Sequence, residues 1–525
     1  MSSKKVIVIS IVAVLLVGGS IAAYVLLDLS AKQQYFLAEK DSAEFLADEA
    51  EARYQPELSW YEQSEENPTE TTLEFSGEYN DPNTMSGFGG MGPAQFINNA
   101  TLTITTAIDK NKKHMASDIK ANMGALEVGD INFYLTEDQI MLGLPFLEEL
   151  VQLNGDDFGK LLKEVDPNTY TGDEKLDFNA FFEGSAGVLS KEDQKYIQEE
   201  YLEMVYDNLP DKAFEVTDET VNVNSNAMDT QKITMHLSEK QTKELLNTVL
   251  KKMENDERLK EIISEQIGVQ QFGAGITSSS FTPAVQKQID QFIGEFETAI
   301  KDAQENLNEF KIPDGIQSTI WVKDKLIVKR DFSIKLGPTN EELVTLSVNG
   351  TQLLQDQNQT FDYEFEATDQ DGSHNMILAG DLETTSDKVS DSIKLSFGET
   401  ELSYDGTGTL QDGNREFERV FSYSDARDSG SLTWSGNASY NNDQMSSEHD
   451  FSVEAPNIGP DMIGLHIEKS AKLINSVELD SEKEVKNIGN MSMDELDQYI
   501  EMEVTPQFQQ WIFGLMGTGG NLNGF

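Results

Sequence analysis

The stretch FDYEFEA, residues 361–367, alternates without a break: Phe361, Tyr363, Phe365 and Ala367 fall on one side of an extended chain, Asp362, Glu364 and Glu366 on the other. Successive side chains of a strand point to opposite faces, so one face here is built to be buried and the other to be wet. The same texture runs from about Glu341 to Val453. Turn signals recur at Asn349-Gly350, Asp371-Gly372, Asp405-Gly406, Asp412-Gly413 and Ser429-Gly430, dipeptides that tolerate the backbone of a tight reversal. The spacing predicts a meander of about eight antiparallel strands, which must close, curl or be covered to hide its edges.

Upstream the period changes. KITMHLSEKQTKELLNTVL, residues 232–250, opens as a strand. It then meets a capping box at Ser238 to Gln241 that launches a helix carrying Leu245, Leu246, Val249, Leu250 and Met253 on one side. A second helix is expected near residues 283–308, after which STIWVKDKLIVKRDFSIKL, residues 318–336, returns to strand around an Asp324-Lys325 turn. Earlier still, Leu73 and Phe75, then Leu102, Ile104 and Ile108, then Ile131, Phe133 and Leu135 alternate in the strand period and lead into the apolar run QIMLGLPFL. Helices near residues 146–164 and 190–207 are expected to cover one face of that sheet. An amphipathic helix fits residues 31–54, and a capping box at Ser492 to Glu495 precedes a terminal helix bearing Phe508, Trp511, Ile512, Leu515 and Met516.

At the N-terminus Lys4 and Lys5 precede an uncharged run from Val6 to Leu27, which as a helix would span roughly 33 Å. The charge asymmetry predicts residues 1–5 in the cytoplasm, a transmembrane helix over 6–28, and the bulk of the chain extracytoplasmic. A cleaved signal peptide is the competing reading, but its apolar region is normally shorter.

The 525 residues carry 93 Asp and Glu against 39 Lys and Arg, a formal net charge of −54. Such a surface repels nucleic acid and other polyanions. The absence of cysteine removes disulfides, thiolate nucleophiles and lipidation at a lipobox. Combined with export, it suggests a Gram-positive source. The five histidines are scattered, with no HExxH. Gly184-Ser185-Ala186-Gly187 lacks nucleophile-elbow spacing, and Asp369-Gln370-Asp371-Gly372 lacks the sixth-position glycine of a calcium loop. No cofactor, metal or catalytic group is expected, and the chain reads as a non-enzyme. The glycine-rich phrases SGFGGMGPAQF, residues 86–96, and QFGAGITSSSF, residues 271–281, have no phosphate-loop ending. They present Phe88, Met91, Phe96, Phe272 and Phe281 as candidate apolar lips of a ligand opening.

The order of helix, alternating sheet, KITMHLSEKQTKELLNTVL and STIWVKDKLIVKRDFSIKL resembles the LolA/LppX-like envelope proteins, and the chain also looks like membrane-anchored extracytoplasmic proteins of Bacillus relatives. The resemblance covers roughly residues 70–410. It implies a curved antiparallel sheet wrapped on helices around a hydrophobic cavity, and no catalytic residues. The expected fold is therefore α+β: a transmembrane helix, then large curved antiparallel sheets with helices on one face. The expected segments are a tail (1–5), the span (6–28), a juxtamembrane helix and linker (29–69), an α+β domain (70–340), a β-rich meander that could continue the same sheet (341–480) and a helical end (481–525). The expected function is non-enzymatic binding of a lipid or other hydrophobic ligand at the cell envelope by a protein held to the membrane through its N-terminal helix, with envelope proteins as further partners. The alternative is a cell-surface interaction or scaffold protein without a small-molecule ligand.

Overall fold

Twenty strands join in one sheet in the computed structural model of this chain, which describes residues 29–80, 93–124, 126–167, 170–182, 189–272, 283–479 and 483–518. In chain order they begin with β1 (Thr69–Tyr79), β2 (Ala100–Asp109), β3 (His114–Met123), β4 (Leu126–Leu135), β5 (Gln139–Gly143) and β6 (Leu150–Asn154). There follow β7 (Phe214–Val223), β8 (Asn226–Leu237), β9 (Ile316–Lys323), β10 (Leu326–Leu336), β11 (Val344–Gln355), β12 (Asn358–Thr368) and β13 (Ser373–Thr384). The last are β14 (Lys388–Phe397), β15 (Thr400–Gln411), β16 (Asn414–Ser424), β17 (Ser429–Tyr440), β18 (Gln444–Glu454), β19 (Ile463–Leu473) and β20 (Val485–Asn487). Across the sheet β7 to β19 lie in sequence order. Then come β1 to β6, and β20 lies beside β6 as the one parallel neighbour.

β1 is the joint between the two runs. Its Phe75 stands opposite Ile467 of β19 on one side and Leu102 of β2 on the other. With both edges of β1 satisfied, strands from the first and last thirds of the chain share one ladder, and the sheet runs through the joint without a free edge there. The alternation of FDYEFEA is carried from strand to strand by the register. Phe361, Gly380, Ile393, Tyr404, Phe421, Leu432 and Val453 stand opposite one another in turn across seven strands.

Six longer helices accompany the sheet: α1 (Ala31–Arg53), α2 (Gln55–Glu66), α3 (Glu239–Glu254), α4 (Glu257–Phe272), α5 (Pro283–Asn306) and α6 (Thr505–Thr518). Ser30 and Gln33 form a capping box at the start of α1, and Ser238 and Gln241 form one at the start of α3. The main core lies where α1, α3 and α5 meet β7 to β11. Tyr35 and Phe36 of α1, Leu246 and Leu250 of α3 and Ile300 of α5 pack with Ile233, Ile316, Ile320 and Ile334 of the strands. Burying each such side chain contributes about 1.5–3 kcal/mol.

From this core α1 and α2 run on over the apolar face of the sheet. Tyr35 Oη and Ser318 Oγ of β9 are 2.7 Å apart, Glu39 pairs with Arg330 of β10, Arg53 Nη1 donates to Asp391 Oδ1 of β14 at 2.8 Å, and Arg415 of β16 pairs with Glu57. Trp60 packs on Met445 of β18 and Ala471 of β19. Between Glu39 and Trp60 a helix advances roughly 32 Å, while the strands crossed, β10 to β18, occupy roughly 38 Å at normal spacing. The shorter path on the helix side is what a sheet curved toward its helices gives.

Two expectations are corrected here. The α+β class with an N-terminal transmembrane helix gives way to one twenty-stranded, almost wholly antiparallel sheet with few helices. Among the described residues no helix is long and apolar enough to cross a membrane. The run from Val6 to Leu27 lies outside the described residues. The single-pass cell-membrane localisation and the N-terminal membrane attachment rested on that run, and the Gram-positive assignment on the export it implied together with the absence of cysteine; none is retained.

Candidate functional site

Register assigns every residue of β13 to β19 to one of two faces. The face shared with Phe361 and Tyr363 is apolar, and α1 and α2 cover only one end of it. At that end Arg415, Ala438, Met445 and Ala471 are each 5% exposed. Towards the other end of the same strands the face is open. Phe397, Leu402, Phe421, Tyr423, Leu432, Val453, Ile463 and Leu465 are each 37–43% exposed. These are neighbours: Leu402 stands opposite Tyr423, Phe421 opposite Leu432, Leu432 opposite Val453, and Phe451 opposite Leu465. Taking roughly 200 Å² for a residue of this size, they expose on the order of 600 Å², the upper end of what a monomer normally leaves bare.

Aromatic rings organise the floor between the covered and open ends. The rings of Trp434 and Phe451 stack with centroids 5.6 Å apart, and those of Tyr404 and Phe421 lie 5.1 Å apart. The Arg419 guanidinium sits 4.5 Å from the centroids of both Phe417 and Trp434, a cation–π arrangement. Trp434 Nε1 donates to His449 Nδ1 at 3.2 Å, and His449 Nε2 lies 3.0 Å from Ser447 Oγ. Burial, then the charges of Lys469 and Arg419, hold the His449 ring below the usual imidazole pKa. Burial alone pulls the Lys469 ammonium below its ordinary value.

The opposite face is wet and carries the acids: Asp381, Glu401, Glu416, Glu418, Glu448 and Asp450 all alternate onto it. At the other end of the sheet, a cleft of about 1040 Å³ beside α1 and the β7–β10 strand ends is lined by Asp41, Asp218, Glu219, Asp229, Lys323 and Lys325. Leu29, Leu37, Ala38, Ile233 and Val322 line it as well, so its walls mix charged and apolar groups. Among the described residues no group of three or more histidines and carboxylates is placed to hold a metal. The strongly shifted groups are dispersed in structural contacts. Burial raises Tyr35 in the core and Tyr201 beside Asp256, and raises Tyr499 near Glu149.

Of the residues singled out from the sequence, Phe88, Met91 and Phe281 lie outside the described residues. Phe96 falls on the short helix Pro93–Asn98 and Phe272 ends α4, with their side chains likewise outside what is described. The residues of the open face were not singled out from the sequence, where faces were assigned only within FDYEFEA; the register carries the face of Phe361 to them. Periodicity could not reveal that α1 and α2 stop short of them, because coverage is a tertiary fact.

The sequence matches no protein-family model and no curated protein. Among solved structures it is similar to OccK3 of Pseudomonas aeruginosa, at 6% identity over 78% of this chain and 95% of that one, with a TM-score of 0.24. It is also similar to a BenF-like porin of Pseudomonas fluorescens, at 8% identity over 77% and 97% of the chains and a TM-score of 0.23. Wzi of Escherichia coli, an outer-membrane protein of group 1 capsule assembly and a carbohydrate-binding β-barrel, aligns at 8% identity over 91% and 99%, with a TM-score of 0.22. Likeness at this level transfers no function.

Proposed function

We propose that this protein is a non-enzymatic binding protein that holds a lipid or another hydrophobic molecule on the open apolar face of β13 to β19. The observation that carries the reading is the contiguous patch running from Leu402 and Tyr423 to Ile463 and Leu465, left bare while the neighbouring rows are sealed by α1 and α2. Exposing such a surface to water is unfavourable by about 25 cal/mol per Å², so something apolar that covers it is bound with a real driving force. A membrane barrel turns its apolar band outward and keeps a polar interior. Here the apolar face is the one on which the protein's own helices and their buried ion pairs lie, which favours a ligand laid along the sheet. The dispersal of the shifted titratable groups supports the non-enzymatic half of the reading.

The test is to purify the full-length protein from its native host, extract it and identify lipids by mass spectrometry, beside a variant carrying Phe421→Ser, Leu432→Ser and Leu465→Ser. A reproducible lipid near one equivalent that is lost from the variant is the expected result. Lipid-free wild-type protein, or equal lipid in both, rejects the reading and leaves the sheet as a protein-interaction scaffold.

A further inference from the structure

β7 is the outermost strand at one end of the sheet. Among the described residues its one strand neighbour is β8, so along its other side every second residue turns an N–H and a C=O away from the ladder. The two ends of the strand are held down. Phe214 packs on Tyr35 and Phe36 of α1, and Val221 and Val223 pack with Trp321 and Val328. Between these anchors Glu215, Thr217, Asp218, Glu219 and Thr220 are exposed. They belong to both faces, since successive residues of a strand alternate, and a stretch open on both faces is open along its edge. Among the described residues no main-chain bond reaches Glu215–Thr220 from outside β8.

The free stretch carries Glu215, Asp218 and Glu219 and no basic residue. Glu219 is paired with Lys232 of β8 at 2.8 Å, whereas among the described residues Glu215 and Asp218 have no cation within ion-pair distance. On the α1 side the stretch borders the cleft of about 1040 Å³, where Asp218 stands with Asp41 and Asp229, and with Lys323 and Lys325 of the β9–β10 turn. Burial raises the Asp41 carboxyl pKa although Lys325 and Lys40 oppose the rise. These charges decide which strand the edge can accept. Pairing with a second copy about Thr217 would set Glu215 of one copy opposite Glu219 of the other, like charges that destabilise a strand pair, in a chain of net charge −54. A strand that brings lysine or arginine meets the reverse.

We infer that the edge of β7 over Glu215–Thr220 takes up an extended basic segment of a partner protein as an added strand, its main chain bonded to β7 and its cations opposite Glu215 and Asp218. In this mode of recognition main-chain bonds supply affinity and alternate side chains supply specificity. Glu215 and Asp218 are three residues apart and so lie on opposite faces. The segment that fits therefore carries cations three residues apart, one for each face. About six residues, roughly 20 Å of strand, span the open stretch. The site lies at the far end of the sheet from the bare rows of β13 to β19 and is independent of any ligand held there.

The probe is the peptide acetyl-TVKTVKTVK-amide, titrated into full-length protein at about 0.15 M salt and followed by calorimetry and by hydrogen exchange of the β7 amides. A second peptide, acetyl-TVKPVKPVK-amide, keeps the charges and lacks two N–H donors, one on each edge of the strand. The first peptide is expected to slow exchange across Glu215–Thr220 at least tenfold and to bind at least tenfold more tightly than the proline form. Glu215→Lys with Asp218→Lys is expected to abolish both effects, and the comparison of the two peptides on wild type keeps the test decisive if that variant folds poorly. Equal binding of the two peptides overturns strand addition and leaves charge attraction alone. Protection that falls outside β7 overturns the site, and failure of the first peptide to bind overturns the inference as a whole. Self-association of the peptide-free protein with its β7 amides protected overturns the choice of a partner's strand over a second copy.

Discussion

The pair formed by Glu39 of α1 and Arg330 of β10 should govern whether α1 stays on the sheet. Arg330 donates from Nη1 to Oε1 at 2.6 Å and from Nη2 to Oε2 at 2.5 Å, with side chains 13% and 11% exposed. The pair is a bidentate, largely desolvated bridge. Replacing Glu39 by Leu leaves a guanidinium in the core without a counter-charge, and replacing Arg330 by Met strands a carboxylate there. Each change should cost about 3–5 kcal/mol. Making both at once removes the two desolvation penalties together, so the double variant should return to within about 1 kcal/mol of wild type. Because a chain of this size need not unfold in one step, the suitable assay is hydrogen exchange of the α1 amides, residues 31–53. A loss of about 4 kcal/mol there accelerates exchange by roughly three orders of magnitude if α1 opens as a local unit. Single variants that exchange like wild type, or a double variant whose penalty equals the sum of the singles, would refute the argument that this bridge is buried and coupled.

Other consequences are as concrete. Asp256 precedes α4 and is 5% exposed; it accepts from Tyr196 Oη at 2.6 Å, Tyr201 Oη at 2.7 Å and the Leu259 amide at 3.0 Å. Asp256→Asn should therefore cost about 1–3 kcal/mol in urea denaturation. Burial pushes the Asp256 pKa up, but the two tyrosines, the Leu259 amide and Lys252 outweigh it and hold the carboxyl below its ordinary value. Its stabilisation is thus full above the unfolded carboxyl pKa of about 3.9 and lost as pH falls through the folded value; the gap in melting temperature between wild type and Asp256→Asn should narrow below about pH 4. Ile320, fully buried, should lose about 2–5 kcal/mol on truncation to Ala, whereas Leu432→Ala on the open face should lose under about 1 kcal/mol, and similar losses by denaturation would contradict an uncovered face. Lys469→Met should leave the unfolding midpoint unchanged or raise it slightly, because burial disfavours the charge; a clear fall would mean that Lys469 has a partner within the folded chain.

Much of the β architecture was legible because side-chain period is a local property. Phe361, Tyr363 and Phe365 share the apolar face as their alternation requires, and Glu341 to Val453 contains eight strands, β11 to β18. Asp324 and Lys325 both take positive φ in the turn expected there, as do Asp412 and Gly413. Three of the five glycine dipeptides were misread. Asn349-Gly350 lies within β11 and Asp405-Gly406 within β15, and Ser429-Gly430 opens β17. A Cβ on Gly350 would run into the Tyr363 ring, and one on Gly406 into the Tyr404 ring. Glycine there makes room for an aromatic ring lying over the strand, a use that a dipeptide rule cannot distinguish from a reversal. Leu150–Asn154 forms β6 where a helix was expected, since its five residues pair with β5 and three of them also with β20, and are fixed by those partners rather than by propensity.

What local reading could not reach is the pairing of β1 with β19, and the site depends on it. Without that pairing Leu73 would not stand opposite Lys469, nor Phe75 opposite Ile467, and the apolar floor would end at β19. The ladder extends the floor through Leu102, Ile104 and Ile119 of β2 and β3, while α2 reaches only as far as the β2–β3 turn, where Glu65 pairs with Lys110. One strap of two helices therefore crosses a floor of more than ten strands near one end of their length. A strand of eleven residues is about 36 Å long, and a helix layer is only about 10 Å wide, so a single strap leaves most of each strand's apolar face uncovered by geometry alone. The bare rows follow from an arithmetic mismatch between a long sheet and a thin strap, and a ligand laid along the strands is the simplest way to satisfy it.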